Sequence, residues 1–168
     1  LGMRPIRELE QLRLNEERDG GIEIHADKEY HLDPGKLHEL MEIEVSIRPK
    51  DAKRFGVKVC VSENGKEQTL IYYDRDEGAL KFDTRNSSVK FGRKVEESAP
   101  LVLEKEEPLH LRIFVDRSVV EVFANDRQAI ARRIYPALGG QGVSIFSHYG
   151  DVMVESLKIW EMMPSNPY

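Results

Sequence analysis

Two carboxylates and a guanidinium, Asp116, Arg117 and Glu121, lie close together within the run Leu109 to Pro136. Arg117 can pair with a carboxylate on an adjoining surface, and Glu121 can accept hydroxyl donors. The competing account is structural. Asp116-Arg117 forms a turn, and Glu121 points outward from a strand whose Val120 and Val122 face a core, since successive strand residues alternate between faces. A second acidic cluster, Asp74, Asp76 and Glu77, lacks the ligand pattern of a calcium-binding EF-hand loop. It reads as a hairpin tip, where Asp and Gly serve the local backbone.

Other reactive groups assemble less well. His25, His31, His38, His110 and His148 are dispersed, and none forms an i, i+4 pair with a third ligand near it, so no zinc site is expected. Ser118 and Ser147 lack a G-x-S-x-G elbow. Gly139-Gly140-Gln141-Gly142 lacks the Lys-Ser/Thr of a phosphate loop and reads as a connection. Cys60 is the single cysteine, so an intrachain disulfide is excluded and a buried structural thiol is expected. Tyr72, Tyr73, Tyr149 and Trp160 offer flat stacking surfaces, but strand aromatics more often pack, and Trp160 is expected to be largely buried. Asn86-Ser87-Ser88 matches a glycosylation acceptor, a weak pattern. No metal and no cofactor are expected.

Composition narrows the possible partners. With 25 basic and 30 acidic residues the formal net charge is −5, and the basic residues are scattered, with Arg93-Lys94 and Arg132-Arg133 the densest points. Nucleic acid would meet repulsion. A hydrophobic fraction of 40% with 33% charged residues is that of an ordinary globular domain. No apolar run is long enough to span a bilayer, so a membrane is not an expected partner. At 168 residues the chain fits one domain. Residues 1–5 carry no signal-peptide pattern; compartment stays undetermined, because a signal could lie upstream of Leu1.

The elements that must carry these groups are strands. Leu109, Leu111, Ile113 and Val115 recur at period two, Asp116-Arg117-Ser118 breaks the run, Val120 and Val122 resume it, and Asn125-Asp126-Arg127 breaks it again. That pattern is an antiparallel meander. Met41, Ile43, Val45 and Ile47 alternate with polar residues, as do Val57, Val59 and Val61, and Asn64-Gly65 after them is a two-residue hairpin signal. Asp74 to Gly78 turns the chain into Ala79-Leu80-Lys81-Phe82, residues 83–100 read as a long surface loop, and 143–147 and 152–160 are final strands. Upstream, Pro5 suits a first helical turn, and Ile6, Leu9 and Leu12 form a narrow apolar stripe, predicting a short connector helix within residues 4–18. Residues 1–20 are thus a linker and 21–168 the domain. Many short strands with one polar face predict an all-β fold of two antiparallel sheets, a β-sandwich.

The words FVDRSVVEVFAND (Phe114 to Asp126) and RIYP (Arg133 to Pro136) closely resemble the C-terminal β-sandwich module of glycoside hydrolase family 32, the invertases, levanases, inulinases and sucrose-6-phosphate hydrolases. The resemblance extends outward. Met3 to Arg13 is similar to the linker helix that leaves the family's catalytic domain, Ser98 to Leu101 to the start of a strand, and Ser156 to Met162 to the closing strand. It implies a jelly-roll-like, lectin-type sandwich, where periodicity alone leaves an immunoglobulin topology open.

The same resemblance implies what this chain lacks. The family's Asn-Asp-Pro-Asn, Arg-Asp-Pro and Glu-Cys segments, which hold the nucleophile, the transition-state stabiliser and the acid/base of a retaining glycosidase, do not occur: Asn125-Asp126 precedes Arg127, Arg75-Asp76 precedes Glu77, and Val59 precedes Cys60. The chain by itself is therefore expected to be inactive, an accessory module whose partner is a catalytic propeller in the same polypeptide. The parent enzyme would hydrolyse β-fructofuranosyl bonds in sucrose, its 6-phosphate or fructan. In that setting Asp116, Arg117 and Glu121 are candidates for interdomain or sugar contact. Two alternatives stand beside this: a carbohydrate-binding module with its own fructan site, and a homo-oligomerisation module. Where the family has an Asn-Asp-Gly turn, this sequence has Asn125-Asp126-Arg127, so a residue other than 127 must carry the positive φ, or the turn differs.

Overall fold

The structure is a computed structural model and describes residues 2–164. A 3-10 turn, Arg7–Leu12, precedes thirteen strands: β1 (Arg13–Asp19), β2 (Ile22–Ile24), β3 (Lys28–His31), β4 (Leu40–Pro49), β5 (Arg54–Val61), β6 (Thr69–Asp74), β7 (Ala79–Asp83), β8 (Glu96–Pro100), β9 (Leu109–Asp116), β10 (Val119–Ala124), β11 (Gln128–Arg133), β12 (Gly142–His148) and β13 (Val152–Met162). One sheet has the order β1-β13-β4-β9-β10-β11, with β2 also on β13, and the other runs β3-β12-β5-β6-β7-β8. Every pairing is antiparallel. The two layers form the expected β-sandwich.

Register follows from the alternation. Met41, Ile43, Val45 and Ile47 on β4 stand opposite Val115, Ile113, Leu111 and Leu109 on β9, and Val120 and Val122 continue two of these rungs on β10. All are buried. The facing sheet contributes Phe55, Val57, Ile71, Tyr73, Leu80 and Phe82 to one continuous core. A one-residue slip in any of these strands would turn its whole apolar set to water, so the period-two pattern fixes the pairing.

Four local expectations are corrected or completed. The connector helix is confined to Arg7–Leu12, and Arg13–Asp19, expected in the linker, is a strand that pairs with β13 from Arg13↔Met162 to Asp19↔Leu157. A stripe of three apolar residues is too short to sustain an α-helix in water, whereas the β13 edge supplies backbone partners on both sides of a register shift between Leu14 and Glu17. The Asn64-Gly65 step does not make a two-residue hairpin. β5 and β6 are joined by residues 62–68, and only Gly65 of the pair has positive φ, at 68°. The predicted loop 83–100 contains the edge strand β8. At the β10–β11 turn both Asn125 and Asp126 take positive φ, 49° and 53°, and the Arg127 N–H donates to the Ala124 carbonyl. Arg127 is thereby spared the strain that its replacement of glycine would bring.

Asp74 is also more than a hairpin tip. It is fully buried, accepts the Asp76 and Glu77 N–H groups on Oδ1, and receives Arg54 Nε at 2.7 Å on Oδ2. Its two neighbours remain at the surface, as their turn position requires. Trp160 is buried, as expected.

Candidate functional site

The β9–β10 connection is a tight turn at Arg117-Ser118, with Asp116 opposite Val119. Arg117 takes a left-handed φ of 49°, and its N–H donates to the Glu39 carbonyl, docking the turn on the segment before β4. Its guanidinium is solvent-exposed, with Nε 3.8 Å from Glu39 Oε2. Two grooves meet at this residue.

The first groove, about 420 Å³, runs between the connector and the outer face of the β4-containing sheet, lined by Leu9, Leu12, Phe114, Val119, Met162 and Met163. Asp116 and Glu121 stand on its wall and are exposed. Strand parity explains this: Val120 and Val122 are buried, so Glu121 faces outward. The structure therefore brings all three sequence candidates to one end of the sandwich, with Asp116 and Glu121 in one groove and Arg117 on the ridge shared with its neighbour.

The neighbouring groove, about 500 Å³, is framed by residues 84–95 and 134–141, two segments that the sequence read as separate connections and did not bring together. Phe91 and Tyr135 form its aromatic wall, His38, Arg117 and Gln141 its polar rim, and Cys60 part of its floor. The rings lie 5.2 Å apart between centroids and are tilted by 40°. Burial pushes the Cys60 thiol up to about 12, so it is a neutral, unreactive part of that floor.

Both loops are held by one carboxylate. Glu67 is fully buried; Oε1 accepts the N–H of Val89 at 2.8 Å and of Ala137 at 3.0 Å, and Oε2 accepts that of Leu138 at 2.8 Å. Burial works to raise its pKa, but the three backbone N–H bonds and the nearby Lys90 charge outweigh it and hold the carboxyl below its ordinary value. Glycine supplies a second anchor. A Cβ on Gly140 would lie 2.5 Å from the Ser62 backbone, so only glycine lets the 134–141 loop approach this closely. The sequence offered no signal for Glu67, since a lone Glu in a turn carries no distinguishing pattern.

A different cluster ties β1, β4 and β9 together. Glu42, fully buried, receives Arg13 through two hydrogen bonds and Arg112 Nε at 2.8 Å. The Arg13 guanidinium stacks 3.9 Å from the Trp160 ring centre, and Trp160 Nε1 donates to Glu16. Among the histidines, His25 meets Glu23 and Asp151 with ligand atoms within 4.8 Å of one another. Both carboxylates are already engaged: Asp151 accepts the Ala26 N–H and lies 3.2 Å from His25 Nδ1, and Glu23 pairs with Lys50. In the Asn86-Ser87-Ser88 motif both serines are buried, Ser87 bonded to Thr69.

Comparison with known proteins gives this geometry its setting. The model of the glycosyl hydrolases family 32 C terminal matches residues 8–161. A levanase of Bacillus subtilis is 33% identical over 95% of this chain and 25% of its own length. A sucrose-6-phosphate hydrolase of Zymomonas mobilis is 29% identical over 98% of this chain and 32% of its own. The chain thus spans between a quarter and a third of these relatives. Among solved structures, fructan 1-exohydrolase IIa from Cichorium intybus superposes with a TM-score of 0.87 at 18% identity, over 97% of this chain and 38% of that one. A β-fructofuranosidase of Aspergillus kawachii reaches 0.83 at 21%, over 99% and 32%. At these identities the structural likeness speaks for the fold, and the match across residues 8–161 establishes the rest: the chain belongs to the C-terminal β-sandwich family of the glycosyl hydrolases of family 32.

Proposed function

We propose that this chain is the non-catalytic C-terminal accessory module of a β-fructosidase, and that it packs against and supports a five-bladed catalytic propeller. The relatives it resembles carry the names of sucrose-6-phosphate and fructan hydrolases, and the three catalytic segments of the family do not occur in its 168 residues. The observation that carries the docking role is the path of residues 2–12. Met3 N–H donates to the Asp126 carbonyl at one end of β10, while Leu9 and Leu12 reach the groove that holds Asp116 and Glu121 at the other. The segment thus roofs the outer face of the sheet, and it leaves Ile6 64% exposed, with Met3 also exposed.

Apolar side chains left on an ordered connector are those a neighbouring domain would cover, and interdomain interfaces of this kind bury roughly 600 to 1,500 Å². In this reading the parent enzyme hydrolyses β-fructofuranosyl bonds by a retaining mechanism, and the sandwich fixes the connector against the propeller. The test is a hydrolysis assay on the isolated chain with sucrose, levan and inulin. No turnover above background is expected, and turnover would refute the accessory role.

A further inference from the structure

The groove between residues 84–95 and 134–141 has a construction that the docking role does not require. Surface loops are ordinarily the most mobile parts of a domain. Here two of them are fixed to each other through the interior by Glu67, a carboxylate whose removal from water is costly unless its oxygens are fully bonded. Gly140 seats one of the loops directly on the Ser62 backbone. What this rigid frame presents is a pair of rings with Phe91 59% and Tyr135 37% exposed. The same groove is lined by groups that donate and accept hydrogen bonds, Arg117, His38 and Gln141.

We propose that this groove is a saccharide subsite that holds a fructosyl unit or a short β-fructan segment on the Phe91 and Tyr135 rings. A sugar has one face of C–H groups and an edge of hydroxyls. The C–H face suits the rings, and the hydroxyls suit the guanidinium, imidazole and amide on the rim. The cavity of about 500 Å³ lies within the usual range for small-ligand clefts. Prefixing the loops lowers the ordering cost of binding, which is what lets a shallow site hold a weakly interacting polyol. The choice of fructose over other sugars rests on the accessory-module reading; the site itself rests on the rings and their frame.

The test is a titration of the isotope-labelled 168-residue chain, followed by amide chemical shifts, with levan-derived and inulin-derived oligosaccharides and with cello-oligosaccharides as control. Shifts are expected at residues 89–92 and 135–141 with the fructans. Phe91→Ala and Tyr135→Ala should each weaken binding about tenfold, with the thermal midpoint unchanged. Absence of shifts with the folded wild-type chain overturns the proposal, and so do shifts unaffected by either substitution. Protection of Tyr135 from solvent labelling in the sugar-free parent enzyme would also overturn it, since the groove would then be covered by the neighbouring domain. Because binding is read on the isolated chain, failure here leaves the accessory role standing. Hydrolysis by that chain would refute the accessory role and leave the groove untouched.

Discussion

The Arg13 guanidinium makes two hydrogen bonds of 2.8 Å to the fully buried carboxylate of Glu42, one to each oxygen, and so ties the first strand to the middle of the sheet. Arg112 approaches the same carboxylate from β9. The two arginines are not equivalent to their shared partner. Removing Arg13 leaves Glu42 still bonded to Arg112, and Arg13→Ala is expected to cost about 1 to 3 kcal/mol. Glu42→Ala strands two guanidinium groups at once and should cost about 3 to 5 kcal/mol. Urea denaturation of the two variants checks the order, and equal losses would show that Arg112 does not hold the carboxylate.

Glu67 gives the fold a pH dependence of known sign. Its carboxyl is held below the ordinary value of 4.5 in the folded protein, so the folded state binds the proton less readily than the unfolded chain. The stability this contributes is complete above that ordinary value, declines as pH falls through it, and is gone below the folded value. Glu67→Gln keeps the shape and loses the charge. The stability difference between wild type and Glu67→Gln should therefore be constant near neutrality and shrink in acid. Glu67→Ala should in addition speed hydrogen exchange at the Val89, Ala137 and Leu138 amides; unchanged exchange there would remove Glu67 from its role as the clip.

What was legible in the sequence was whatever depends on alternation between neighbours in the chain. Met41 to Ile47 and Leu109 to Val115 announce their faces by residue type, and the breaks at Asp116 and Asn125 announce their turns. Strand β1 was hidden because Arg13–Asp19 has almost no apolar residue, and its partner, β13, is more than a hundred residues away in the chain. The same reason hid the groove. Phe91 and Tyr135 are forty-four positions apart, in segments without periodicity, and the Glu67 that unites them has no local signature. Asp116, Arg117 and Glu121 stood out because they adjoin a readable turn, and that turn lies where both grooves meet.

Cys60 should behave as a core residue towards thiol reagents. Its thiol is buried and pushed up to about 12, so at mildly alkaline pH the thiolate fraction is negligible. Labelling by a disulfide reagent at pH 8 should follow the rate of unfolding and rise steeply with denaturant, where a free exposed thiol of pKa about 8.5 would react at once. Rapid labelling of the native chain would mean that the groove floor opens without unfolding.

Two adjacent glycines separate close approach from backbone conformation. Gly139 has φ 65° with open space where a Cβ would go, whereas a Cβ on Gly140 meets the Ser62 backbone at 2.5 Å. Gly139→Ala should cost only the left-handed strain, about 1 to 2 kcal/mol, with the loop left in place. Gly140→Ala must push the 134–141 loop off Ser62, at about 1 to 3 kcal/mol. The distinguishing reading is geometric rather than energetic. In Gly140→Ala the Ala137 and Leu138 N–H groups move away from Glu67, so both amides should lose hydrogen-exchange protection and Tyr135 should shift relative to Phe91. In Gly139→Ala those protections should persist. If both variants, or neither, release the loop, close approach at residue 140 is not what holds it.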